Sequence, residues 1–156
     1  MRTSRILLIL LAAAIVGWSI FGVLVWRAVE VEEADEPQAL RRFHAVRATL
    51  PAAPPLLDLD SGGNVIRRAP MVAASDGALE SLSALAYQPR ERRLVHAVMP
   101  FWFFTLKAPA AQYVFRGTGL DLKRLGVTAA ELKRHGPAIV IDHVYPDGRR
   151  LLVWTE

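Results

Sequence analysis

The side chains best suited to chemistry in this 156-residue chain are four histidines, His44, His96, His135 and His143. None falls in a His-x-His or His-Glu-x-x-His arrangement, the spacings that bring two imidazoles to one ion, so a zinc site has no local support. Asp142 directly precedes His143, but a strand sends neighbouring side chains to opposite faces, which argues against an acid–imidazole couple there. His135 follows Lys133 and Arg134, as cations do in the last turn of a helix. Ser61, Ser75, Ser81 and Ser83 lack both the Gly-x-Ser-x-Gly elbow and the Ser-x-x-Lys pattern. Asp58 and Asp60 flank a glycine turn without the twelve-residue spacing and closing glutamate of a calcium loop. Gly117-Thr118-Gly119 has neither the third glycine of a dinucleotide fingerprint nor the Lys-Ser/Thr of a phosphate loop. The chain contains no cysteine, which excludes disulfides, thiolate metal sites, cysteine nucleophiles and lipoprotein processing. No metal and no cofactor is expected. Catalysis is left with one form, a dispersed site in which His96 or His143 works with acidic partners from elsewhere in the chain.

A second candidate is a surface rather than a reaction centre. Pro100-Phe101-Trp102-Phe103-Phe104-Thr105-Leu106-Lys107 places three of the six phenylalanines and one of the four tryptophans in consecutive positions. The stretch is too short to span a bilayer. Its leading reading is core, as a short helix after Pro100 or a strand buried on both faces. The functional alternative makes Phe101, Trp102, Phe103 and Phe104 a patch that docks on lipid or on a partner protein.

These residues need elements to hold them, and the N-terminal part of the chain sets the frame. Residues 6–26, ILLILLAAAIVGWSIFGVLVW, carry no charge. About 20 apolar residues at 1.5 Å rise span a hydrocarbon core of roughly 30 Å. A soluble helix is seldom apolar on every face over such a length. Trp26 and Arg27 stand where an interfacial aromatic and a flanking cation belong. A cleaved signal peptide fits less well, since the apolar run continues past Ala12-Ala13-Ala14 and no small-residue site closes it. Residues 1–5 are then a short tail and 6–26 a single transmembrane helix. Arg2, Arg5 and the terminal amine precede it, while Arg27, Arg41 and Arg42 follow. The counts nearly balance, and the cost of translocating the short charged tail favours a cytoplasmic N-terminus, with the C-terminal domain outside the cytoplasm. Ala13 and Gly17 form a small-xxx-small pair that permits helix-mediated dimerisation.

Beyond the helix, residues 27–36 read as an acidic juxtamembrane connector containing Glu30, Glu32, Glu33, Asp35 and Glu36. Residues 37–50 read as a helix opened by Pro37, with Leu40, Phe43, Val46 or Arg47, and Leu50 on its apolar side. Pro51, Pro54 and Pro55 make residues 51–55 a spacer. Residues 56–156 form the folded domain. Three hairpins are predicted in it: Leu56 to Arg67 around Ser61-Gly62-Gly63-Asn64, Leu82 to Met99 around Pro89, and Ala138 to Thr155 around Pro146-Asp147-Gly148. The second places His96 on a face with Leu94 and Val98. The third places Ile139, Ile141, His143 and Tyr145 on one face and Ala138, Val140, Asp142 and Val144 on the other. Residues 69–80 read as loop, with one helical turn near 77–80, residues 112–116 as a strand, and residues 121–125 as a helical turn. Thr128 and Glu131 form a capping box for a short helix that Gly136 closes. The fold class is α+β: an antiparallel sheet of about five to seven strands, rich in hairpins, with about two or three short helices.

The formal net charge is +4, with arginine pairs at Arg41-Arg42, Arg67-Arg68, Arg92-Arg93 and Arg149-Arg150. No uninterrupted basic block and no aromatic-interleaved motif accompanies them, so nucleic acid is not an expected partner. The expectation is a single-pass protein of a bacterial-type inner membrane. Its partners are the lipid bilayer and other envelope proteins, and its small extracytoplasmic domain works in binding or assembly rather than catalysis. Two alternatives stand beside it: a membrane-tethered enzyme with a dispersed His/Asp site, and a cytoplasm-facing basic domain that meets anionic lipid.

Overall fold

The computed structural model describes Ala12, Val16, Gly17, Ser19 and residues 28–70, 78–105 and 114–156. The expected transmembrane segment 6–26 lies outside the described residues except at those four N-terminal positions, which are helical. Among the described residues no helix is long and apolar enough to cross a membrane. The Ala13–Gly17 pair is likewise half outside, since Ala13 is not described; a Cβ placed on Gly17 meets nothing within 4 Å.

The domain is α+β. Its strands are β1 (Val29–Glu33), β2 (Leu57–Leu59), β3 (Val65–Arg68), β4 (Ser81–Gln88), β5 (Arg93–Pro100), β6 (Ile139–Val144) and β7 (Arg150–Thr155). Its helices are α1 (Glu36–Thr49), α2 (Phe101–Thr105), α3 (Leu122–Leu125) and α4 (Ala129–His135), with a 3-10 turn at Arg116–Thr118. The strands form one seven-stranded sheet in the order β1-β5-β4-β7-β6-β2-β3. The sheet is mixed, not wholly antiparallel as expected: β2 runs parallel to β6, with Leu57 opposite Ile141. Turn chemistry specifies pairing within each hairpin, but the direction in which two separate hairpins meet is set by the long connection between them.

β4 and β7 lie inside the sheet, and their side chains are buried on both faces. One face packs on α1. Asp35 accepts from the Gln38 amide at 2.8 Å while the Gln38 side chain accepts from the Asp35 amide at 3.0 Å, and Pro37 occupies the first turn, so every local signal starts the helix here. Ala39 is fully buried, and Phe43, Val46 and Leu50 pack with it on Leu85, Tyr87, Leu94, Ile139, Leu152 and Trp154. The seam therefore runs through Ala39 rather than Leu40, because the small side chain brings the helix axis close to the sheet. Arg47 ties the end of α1 down, donating to Asp142 of β6 at 3.2 Å and to the Pro51 and Ala53 carbonyls of the spacer.

The opposite face carries Ala84, Ala86 and Ala97, small residues over which Phe101, Phe103, Val114, Phe115, Leu120, Leu125 and Leu132 close a second core. Val114 and Phe115 are helical and lead into the 3-10 turn, which corrects the strand expected at 112–116. Both side chains are buried, a pattern that consecutive strand positions with one covered face do not produce, and the Thr118 hydroxyl closes the turn by donating to the Phe115 carbonyl. α4 is capped reciprocally by Thr128 and Glu131, and this hydrogen bonding to Thr128 holds the Glu131 carboxyl below its ordinary pKa.

Two further expectations are corrected. The acidic connector at 27–36 contains β1, which pairs with β5 from Val29↔Ala97 to Glu33↔Arg93. Its glutamates are exposed, and charge on an edge strand discourages further pairing without preventing the strand itself. In the last hairpin the register shifts between Ile139 and Ile141, and at such a bulge two residues oppose one. Ile139 consequently joins the α1-side core, while Val140 and Ile141 both join the other. From there Ile141, His143 and Tyr145 share a face, and Asp142 turns toward α1.

Candidate functional site

The aromatic helix α2 divides by position. Phe101 is 2% exposed and Phe103 8% exposed, Phe104 packs partly buried against the same core, and Trp102 is 60% exposed. Phe101 and Phe104 meet at 5.9 Å, and the Trp102 ring stands edge-on to Phe103 at 5.7 Å. Three of the four residues expected to be either core or docking patch are therefore packed inward, and Trp102 alone faces out. A helix lets i and i+3 pack together, which accounts for the Phe101–Phe104 pair.

The sheet register locates α2. Val98 donates its amide to the Ala28 carbonyl at 2.7 Å, just before β1, and β5 then runs out at Pro100 opposite Ser81. α2 begins on the next residue. It thus sits at the end of the sheet from which β1 starts, and Ala28 follows Trp26, the last residue of the apolar stretch, by two positions.

The histidines do not converge. His96 lies on the α1 side, stacked on Trp154 with centroids 5.8 Å apart and planes 12° from parallel. Its Nε2 is buried without a hydrogen-bond partner among the described residues. Burial lowers its pKa, with Arg42 adding to the effect and Glu30 and Glu156 opposing it. His143 lies on the opposite face, edge-on to Tyr145 at 4.5 Å, and its Nε2 is also buried and unpartnered among the described residues. A seven-stranded sheet separates the two imidazoles. His44 is exposed on α1, and His135 ends α4. Among the described residues no three His, Cys, Asp or Glu side chains gather where an ion would bind. Asp58 pairs with Arg67, and Asp60 accepts from the Gly62 and Asn64 amides in its turn.

Sequence patterns imply one further cluster only in part. Arg149 lies over the Tyr145 ring at 4.5 Å from its centroid while His143 meets the ring edge-on. Gly63, at φ +79°, brings the first hairpin turn against this ring: a Cβ there would stand 3.3 Å from the Tyr145 hydroxyl. A cleft of about 140 Å³ opens beside it, lined among others by Asp121, Arg124, Tyr145 and Arg149. Burial raises the Tyr145 pKa, so the phenol is neither a base nor a nucleophile near neutral pH. The hairpin pattern implies the facing of Tyr145 and Arg149 across Pro146-Asp147-Gly148 and the shared face of His143 and Tyr145, but not the approach of Gly63.

Comparison with protein-family models, with curated proteins and with solved structures finds no match for this chain.

Proposed function

We propose that this chain is a single-pass membrane protein of a bacterial-type inner membrane, carrying a small extracytoplasmic α+β domain whose work is binding or assembly with other envelope components. The observation that carries the reading is the closeness of the domain to the apolar segment. Residues 6–26 have the length and composition of a membrane helix, and the sheet takes hold of the chain at Ala28. A domain held on so short a connection works at the membrane surface. The Nε2 atoms of His96 and His143 are buried without a hydrogen-bond partner among the described residues, which supports the binding reading over a dispersed His/Asp site.

A C-terminal alkaline phosphatase fusion, active only outside the cytoplasm, tests the placement against a matched fluorescent cytoplasmic reporter. Phosphatase activity with a dark fluorescent fusion is the expected result. The reverse pattern selects the cytoplasm-facing alternative, in which the basic domain meets anionic lipid. Release of the untagged chain from membranes by alkaline carbonate would rule out the anchor itself.

A further inference from the structure

We propose that the end of the sheet from which β1 starts rests on the bilayer, with Trp102 in the boundary between headgroups and acyl chains and Lys133 and Arg134 against anionic headgroups. This rests on the membrane reading above and adds which face of the domain meets the lipid.

Four strand pairings place the groups concerned at one end. Val29 is opposite Ala97, Ser81 opposite Pro100, Leu82 opposite Thr155, and Ile139 opposite Trp154. The start of β1, the end of β5, the start of β4, the end of β7 and the start of β6 therefore share that end. α2 leaves from the end of β5. α4 arrives just before β6, and its Gly136 carbonyl accepts from the Thr155 hydroxyl at 2.9 Å. Both helices cover the same sheet face, since Phe101, Phe103 and Leu132 belong to one core. Between β5 and β6 lie β4 and β7, so Trp102 and the last turn of α4 are separated along the sheet by about 14 Å at the usual strand spacing.

Lipid is the occupant that this combination fits. An exposed tryptophan at the same end of the sheet as an exposed lysine and arginine is the side-chain set that settles at a membrane interface, the indole at headgroup level and the cations on phosphate. Lys133 and Arg134 are both exposed in the last turn of α4. The apolar stretch ends within two residues of Ala28, so the bilayer is the surface this end meets first, and Arg27 adds a cation at the junction. Two carboxylates share the end, Glu80 and Glu156, and Glu156 is turned to the α1 side, where it accepts from the Trp154 indole N–H.

The test uses the full chain in vesicles of phosphatidylcholine and phosphatidylglycerol whose acyl chains are brominated just below the glycerol. Subtracting the emission of a Trp102→Phe variant isolates Trp102, while a Trp102→Phe, Trp154→Phe double variant leaves Trp18 and Trp26 to report on the apolar segment. Expected are quenching of Trp102 by the bromolipid, shielding from aqueous acrylamide, and a roughly twofold drop in that quenching in a Lys133→Gln, Arg134→Gln double variant, with the segment's tryptophans unchanged. Quenched Trp18 and Trp26 with an unquenched, acrylamide-accessible Trp102 overturns the docking and leaves the anchor standing. No quenching at any of these tryptophans overturns both. Because the chain has no cysteine, a nitroxide on Thr105→Cys gives an independent depth for α2, and a label as exposed to aqueous as to membrane relaxants also overturns the docking.

Discussion

His96 lies flat against Trp154 beneath α1, its ring 5.8 Å from the indole and its Nε2 buried without a partner among the described residues. The stack joins β5 to the end of β7 across β4, and α1 covers the core to which Trp154 belongs.

This burial makes stability depend on pH. The folded-state pKa of His96 is below its ordinary 6.5, chiefly through desolvation. Below that value the unfolded chain takes up a proton that the folded chain resists, so the unfolded state binds more protons and stability falls as pH drops. Above pH about 6.5 both states are neutral at this position and the contribution is flat. The urea midpoint, read from near-ultraviolet circular dichroism of the packed tryptophans, should decline as pH falls below 6.5. His96→Phe keeps a ring on Trp154 and removes the titration, so its decline should be shallower. An unchanged slope in that variant would assign the acid sensitivity to other groups.

The aromatic helix should divide energetically as it divides structurally. Phe101→Ala opens the core beneath α2 and should cost about 3–5 kcal/mol. Trp102→Ala, one residue on, removes an exposed side chain and should alter stability by about 0.5 kcal/mol or less. Equal losses in denaturant unfolding would mean that Trp102 is structural.

The two capping boxes provide a paired measurement. Asp35→Ala removes the acceptor for the Gln38 amide, and Thr128→Ala removes the acceptor for the Glu131 amide at 3.2 Å. Each should cost about 1 kcal/mol. Asn at position 35 and Ser at position 128 should restore most of it, because both side chains cap well; failure of the rescue would point to a role other than capping.

Local chemistry made much of this fold legible in the sequence. The α+β class, the β4–β5 and β6–β7 hairpins and the Thr128–Glu131 cap each rest on neighbours a few residues apart, where turn residues and periodicity act directly. What stayed hidden depends on distant pairings. β1 was concealed because its edge position tolerates Glu30, Glu32 and Glu33, which on a sequence read as a solvated connector. The parallel pairing of Leu57 with Ile141 requires knowing where the spacer leads. The bulge at Ile139–Ile141 breaks the alternation on which face assignments rest, and no glycine marks it. Trp102 could not be told from Phe101 and Phe103 until the helix fixed which of them looks out.

One buried hydroxyl, that of Thr155, closes the end of the sheet from which β1 starts. It donates to the Gly136 carbonyl at 2.9 Å and accepts from the Ala138 amide at 3.0 Å, linking the end of α4, the start of β6 and the end of β7. Thr155 is 1% exposed, so water does not replace what a substitution removes. Thr155→Val keeps the shape and strands the buried Gly136 carbonyl and the part-buried Ala138 amide, which should cost about 1–3 kcal/mol. Thr155→Ser keeps the hydroxyl and loses a methyl, and should retain most of the stability. Amide exchange at Ala138 should accelerate in the valine variant and stay slow in the serine variant. Fast exchange in both would mean that methyl packing, and not the hydroxyl, holds α4 to the sheet.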